Sequence, residues 1–223
     1  MTVVLDDIRT LVCDLLRDDV QRVSTEQLDR AIGLAVVQYG KDRPRILVED
    51  VMAPGGRAID LPDGALKVLA IEHPVNAFPP AVLPADAWRL YQTPGRMQIL
   101  LAAPAAAGAT LRLTVTRPHE LTETVDTVPA DDREAVASYA GAVLFDQIAA
   151  ATSGDGNPTI QADTVNHAAK PENYGKRAER LRQRYHDLLG IDPKRVQPFS
   201  TTVTVPLANS KGGPRLLRRF GRP

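Results

Sequence analysis

One cysteine, Cys13, in 223 residues excludes an intrachain disulfide framework. Packing and hydrogen bonds must hold the chain folded, which suits a reducing compartment. Aromatics are scarce at 4%, with a single tryptophan, so the stacking platforms that hold single-stranded nucleic acid are missing. Net charge is missing as well, because 27 Lys/Arg meet 27 Asp/Glu. No stretch approaches the roughly eighteen apolar residues of a membrane span. The opening "MTVVLDDIRTLV" lacks the basic start and long apolar run of a secretory leader. These absences predict a soluble product made in the cytoplasm.

Signatures of chemistry are also lacking. The four histidines (His73, His119, His167, His186) have no second ligand at zinc spacing. No Walker A loop, Gly-x-Ser-x-Gly elbow or Gly-x-Gly-x-x-Gly run occurs. "SGDGNP" (153–158) offers Asp155 and Asn157 as in a calcium loop, but the other ligand positions do not follow, so it reads as a turn. No constellation supports nucleophilic or general acid/base work. The expectation is a non-enzyme without metal or cofactor.

What is present is a core and much punctuation. An apolar fraction of 43% excludes a disordered chain. Fifteen glycines and eighteen prolines, frequent between residues 53 and 130, predict short strands and turns there. Charge is segregated along the chain. From Lys170 onward thirteen Lys/Arg face four Asp/Glu, whereas the preceding residues hold fourteen against twenty-three. A subunit of this kind either carries a solvated basic helix and tail or pairs its basic end with the acidic face of a copy or neighbour.

Hydrophobic spacing organises the elements. Residues 4–17 place Leu5, Ile8, Leu11, Val12, Leu15 and Leu16 at helical period, with Cys13 beside the stripe as a packing residue. A second helix opens on "STEQ", where Ser24 and Gln27 have capping-box spacing. It carries Leu28, Ala31, Ile32, Ala35, Val36 and Tyr39 inward and stops near residues 40–42. The period then shortens. "RILVEDVMA" and "RAIDLP" flank "PGG" as a hairpin, and "ALKVLAIEHP" reads as an apolar, central strand. "FPPAVLPADAWRLYQ" mixes a short strand with a helical turn, Trp88 and Tyr91 being core or cover residues. "RMQILLAAP" and "TLRLTVTRP" add two strands, the last with one wet face. Residues 45–117 thus read as a small antiparallel sheet or barrel.

Helical period returns after "VPADDREAV", where Asp131 and Glu134 have capping spacing. Val136, Tyr139, Ala140, Val143, Leu144 and Ile148 form the stripe, and small residues such as Ala135, Ala137, Gly141 and Ala142 fill the other faces. Such a helix is buried on more than one side and suits close packing between neighbours. After a polar connection, a last helix has Pro171 in its first turn and Tyr174, Ala178, Leu181, Tyr185, Leu188 and Leu189 inward. Arg177, Arg180 and Arg184 line its outer face, and Gly190 ends it. The fold class is α+β: a helical bundle of two N-terminal and two C-terminal helices, an inserted small antiparallel β domain, and an extended C-terminal arm. The segments are 1–44, 45–128, 129–190 and 191–223.

The arm has two parts. In "FSTTVTVPL", Phe199, Thr201, Val203, Val205 and Leu207 alternate with Ser200, Thr202, Thr204 and Pro206, which suits a strand added to the edge of another chain's sheet. Pro206 confines it to an edge. "GGP" then forms a flexible turn before Arg215, Leu216, Leu217, Arg218, Arg219 and Phe220, a basic anchor with apolar studs. The bland alternative is a disordered basic terminus.

This order of elements resembles the head-to-tail adaptor (connector) proteins of tailed bacteriophages. The resemblance runs through "LDDIRTLVCDLL", "STEQLDRAIGLAVVQYGKDRP", "AIDLPDGALKVLAIEHP", "RLTVTRPHEL", "VPADDREAVASYAGAVLFDQIA" and "YGKRAERLRQRYHDLLG", over roughly residues 4–190. It implies a ring, typically of twelve subunits, docked beneath a portal protein in the virion neck and assembled in the host cytoplasm. DNA would pass through its channel without sequence recognition, and tail or neck proteins would dock below, with no membrane involved. Acidic residues in 1–50 and basic ones after 170 would pair across the ring interface. The arm would reach a portal subunit or an adjacent adaptor, and Arg177, Arg180 and Arg184 would face a neighbour or DNA. Two other readings stay open: a nucleic-acid-binding protein using the basic 170–222 segment, and another neck or tail-completion protein.

Overall fold

The computed structural model describes residues 4–153 and 169–192. These build a mixed α and β protein with four helices and two small antiparallel sheets, of the α+β class.

Helix α1 (Val4–Leu16) buries Ile8, Val12 and Leu16, one residue per turn on one face. Leu11, expected in that stripe, is exposed instead, because the buried face is narrower than the apolar one. A 3-10 stretch (Arg17–Arg22) turns the chain into α2 (Thr25–Asp42). Its capping box forms as the sequence predicts: Gln27 N–H donates to Ser24 Oγ (3.3 Å), and Ser24 N–H donates to Gln27 Oε1 (2.9 Å). The buried residues of α2 are the six that its period selects, from Leu28 to Tyr39. Arg9 donates to both carboxylate oxygens of Asp29 at 2.8 Å and so pins α1 to α2.

Six strands follow: β1 (Arg45–Met52), β2 (Gly56–Asp60), β3 (Lys67–Glu72), β4 (Trp88–Thr93), β5 (Arg96–Ala105) and β6 (Thr110–Arg117). They form two sheets, ordered β1-β6-β3 and β2-β5-β4. Residues from both sheets, including Ile59, Val68, Ile71, Ile99, Leu111, Leu113 and Val115, share one buried cluster. The expected hairpin across "PGG" does not form. Strand β1 pairs with β6 over eight residues, and β2 pairs with β5. Gly55 and Gly56 do hold positive φ (99° and 93°), as a tight turn demands. Here they carry the chain from one sheet to the other, alongside the 106–108 turn; a Cβ on Gly55 would lie 3.3 Å from that of Ala107. The local turn chemistry fits both outcomes, and the long β1–β6 ladder decides between them.

Strand β3 is an edge and β6 the centre, reversing the expectation for "ALKVLAIEHP". The apolar residues of β6 explain this: Leu111, Leu113 and Val115 are fully buried, and even Thr116 on the supposedly wet face is buried. That stretch makes an isolated bridge, Glu72 to Val82, and then a single hydrogen-bonded turn, in which Ala87 N–H donates to Pro84 O (2.9 Å), before it enters β4. Trp88 packs at the edge of the sheet core, whereas Tyr91 is exposed.

Helix α3 (Arg133–Thr152) packs against α1, α2 and α4. Ten of its residues are buried on several faces, as the small side chains predict. The capping expectation at Asp131 and Glu134 fails. Asp132 precedes the helix without capping it, because its carboxylate accepts a 2.6 Å hydrogen bond from the Tyr39 hydroxyl. The 130–152 stretch is long and apolar enough to cross a membrane, contrary to the sequence reading; its burial among three helices makes it the core helix of this unit.

Helix α4 (Ala169–Leu189) buries Ala178, Tyr185 and Leu189, half-buries Tyr174 and Leu181, and leaves Leu188 exposed, against expectation. It ends in a Schellman motif: Gly190 (φ 64°) N–H donates to Asp187 O (3.1 Å), and Ile191 N–H donates to His186 O (2.9 Å). All four helices contribute to one buried cluster, which Val128 also joins. His119 sits where the strands return to the helices, with Nε2 3.0 Å from Arg43 O and Nδ1 3.0 Å from Thr127 O.

Candidate interaction surfaces

The outer face of α4 carries Arg177, Arg180 and Arg184, all exposed, as the sequence places them. Two of the three are already engaged. Arg177 donates to Asp19 (3.3 Å) and lies over the Phe145 ring, 5.6 Å from its centroid. Arg184 donates to Glu134, and the neighbouring Arg182 donates to Asp146. Arg180 has no partner among the described residues. Acidic groups of the first 150 residues therefore neutralise part of α4 within the chain itself.

Asp19 is the hub of this arrangement. It accepts from the Tyr174 hydroxyl at 2.8 Å and pairs with Arg22 at 3.5 Å as well as with Arg177. Burial, and then Asp19, hold the Tyr174 phenol above its ordinary range. Beside this hub, a groove of ≈ 820 Å³ opens between α4 and the α1–3-10 corner, lined in part by Arg17, Asp18, Lys176, Arg177 and Arg180. Arg17 adopts φ 51°, a left-handed conformation that costs a side-chain-bearing residue about 1 kcal/mol or more. Four cations around two aspartates give this groove a positive balance suited to an anionic partner.

The strand region offers a second kind of surface. The outer face of β1 exposes Ile46 (56%), Val48 (60%) and Met52 (74%). Beyond β3, Phe78 is 99% exposed, in a loop braced by Asn76 N–H to Glu72 (3.1 Å) and by Arg112 to Asn76 Oδ1 (3.3 Å). Sequence reasoning missed both. The signal was available in β1, whose apolar residues occur at both odd and even positions, more than one buried face requires.

The small-residue faces of α3, expected to meet neighbouring subunits, are filled inside the chain. A Cβ on Gly141 would lie 3.1 Å from Leu181 Cδ1 and 3.6 Å from Leu15 Cδ1. Among the described residues no group of three His, Cys, Asp or Glu is placed to hold a metal ion. His73 meets Thr110 O, His119 braces the strand–helix junction, and His186 packs edge-on against Tyr185. His167 and the "SGDGNP" residues from Gly154 onward lie outside the described residues. The same holds for Phe199, Thr201, Val203, Val205, Leu207, Arg215, Leu216, Leu217, Arg218, Arg219 and Phe220. No protein-family model and no curated protein matches this chain.

Proposed function

We propose that this protein is a head-to-tail adaptor: a structural subunit that forms a ring beneath a portal, extends a DNA channel and gives a tail its docking surface. The observation that carries this reading is the way the helical core is assembled. Segments on both sides of the strand region, α1 and α2 before it and α3 and α4 after it, close around a single buried cluster. We read this as a helical bundle with an inserted β domain, the arrangement that the resemblance implies. In this reading the arm reaches a portal subunit or an adjacent adaptor, and the ring works by geometry and charge without chemistry of its own.

Particles assembled with a chain lacking residues 192–223 test the reading. The expected outcome is heads that lose DNA or fail to bind tails. Heads that keep DNA and join tails normally would sink the role of the arm. Native mass measurement of the full chain, with and without portal rings, tests the ring itself; no oligomer in either sample would overturn it.

The basic groove favours a second reading, direct binding of duplex DNA through Arg17, Arg177 and Arg180. It predicts affinity of the free protein for duplex DNA that falls steeply with salt. Substituting Arg180 by Ala would lower that affinity and flatten the salt dependence, by about one counterion's worth per lost phosphate contact. A chain that binds duplex weakly at low salt, with no salt slope, leaves the adaptor reading alone.

A further inference from the structure

We infer that the open edge of β1 is the acceptor for residues 199–207 of a second copy of this chain. The inference rests on the ring reading above and names the contact that would link neighbouring subunits.

An unpaired strand edge exposes a row of N–H and C=O groups, and soluble proteins blunt such edges by shortening, covering or charging them. The two edges of the first sheet are treated differently. The outer edge of β3 is covered where His73 N–H donates to Ala81 O (2.9 Å) and Leu83 N–H donates to Ile71 O (2.7 Å). The outer edge of β1 has no backbone partner among the described residues over all eight positions, Arg45–Met52. It contains no proline, glycine or lysine. Its two carboxylates are already tied to the central strand, Glu49 to Arg117 at 2.9 Å and Asp50 to Arg112 at 2.8 Å. The outer face of the strand adds exposed Ile46, Val48 and Met52. Among the described residues nothing covers this long, regular edge, whose outer face is largely apolar.

The arm supplies a strand of matching length and pattern. "FSTTVTVPL" is nine residues long and alternates an apolar row with a hydroxyl row. Its Val203 and Val205 would lie beside Ile46 and Val48, as cross-strand neighbours on one face. Pro206 is tolerated because the added strand becomes the new edge.

Chain length and the point of departure argue for a second copy. Arg43, two residues before β1, donates to Leu189 O at 2.7 Å, so the chain leaves α4 beside the start of β1. The seven residues 192–198 span at most about 24 Å. To pair antiparallel with its own β1, the arm would first have to travel the strand's length, about 27 Å at eight residues. Within one copy only a parallel ladder is in reach, in a sheet whose pairs are all antiparallel. An arm from a neighbour has no such restriction.

Site-directed cross-linking of the full chain tests this. In a Cys13→Ala background, Val48→Cys and Val203→Cys proteins are purified separately, mixed, treated with a short bismaleimide and resolved by mass. The expected result is a dimer joined through positions 48 and 203. Its yield falls roughly tenfold, about 1.4 kcal/mol, when Thr202 and Thr204 are replaced by Pro. An excess of a synthetic peptide of residues 197–209 suppresses it likewise. Absence of the 48–203 product from the mixture overturns the inference. So does a product that forms only within single chains of the V48C/V203C double variant. Native mass of the untreated protein separates the two readings. Rings without the cross-link refute the strand exchange and leave the adaptor standing, whereas cross-linked chains that never close into rings, even with portal present, do the reverse.

Discussion

Tyr39 and Tyr185 are the largest fully buried side chains among the described residues, and each ends on a carboxylate: Tyr39 on Asp132 and Tyr185 on Asp42, both at 2.6 Å. These bonds join elements far apart in sequence, α2 to the start of α3 and α4 to the end of α2. Burial first, and then the partner carboxylate, raise both phenols well above their ordinary range. A raised folded-state value means that the stabilisation is complete below the unfolded phenol value of about 10 and is lost as pH rises beyond it. Urea midpoints should therefore hold at pH 8 and fall toward pH 11, while Tyr39 and Tyr185 of the folded protein stay un-ionised. Tyr185→Phe should cost about 1–3 kcal/mol at neutral pH, because Asp42 is left with Gln38 as its side-chain donor. It should also flatten the alkaline loss. The acid side works through Asp29, which Arg9 holds below the usual carboxylate range. That contribution is present above about pH 4 and is lost as pH falls below it. It is small, since the carboxylate is 39% exposed and solvent screens it.

At the scale of elements, helices declared themselves and strand partners did not. The capping box of α2 and its six buried residues follow from local spacing alone, and Ser24→Ala should lower stability by about 1 kcal/mol in a denaturant titration. The α3 core was legible for a different reason. Its small residues left no face fit for solvent, although nothing local revealed that α4 and α1, not another subunit, would fill the space. Gly141 marks that contact. Gly141→Leu should shift the melting temperature down by an amount corresponding to about 1–3 kcal/mol, since Leu181 and Leu15 already occupy the space it needs. Strand pairing was illegible because "PGG" satisfies a hairpin and a sheet-to-sheet crossing equally well. The choice is made by the β1–β6 ladder between residues more than fifty positions apart, which no local window contains. The exposed positions of Leu11 and Leu188 show the same limit: period gives a stripe, and only the partner's width says which of its edges is covered.

For the whole molecule, the charge division along the chain was readable, but its use was not. The sequence shows an acidic front and a basic rear; packing then spends Asp19, Glu134 and Asp146 on α4 arginines within one subunit. The basic surplus is left to Arg180, the groove around it and the arm, whose residues 192–223 carry seven Lys/Arg against one Asp. The candidate arm residues lie outside the described residues, and on the adaptor reading folding and assembly should be separable at a definite point. That point is Ile191. It packs against the helical cluster, and its N–H closes the Schellman motif of α4. A chain ending at Asp192 should therefore keep the helical circular dichroism signal and the denaturation midpoint of the full protein. A chain ending at Leu189 loses both the two capping hydrogen bonds and the Ile191 contact, and should be less stable by about 1–3 kcal/mol. Equal midpoints for the two truncations would show that Ile191 anchors nothing. A large loss already at Asp192 would show that the arm belongs to the fold of its own subunit, and the division between a folding unit and an assembly arm would have to be abandoned.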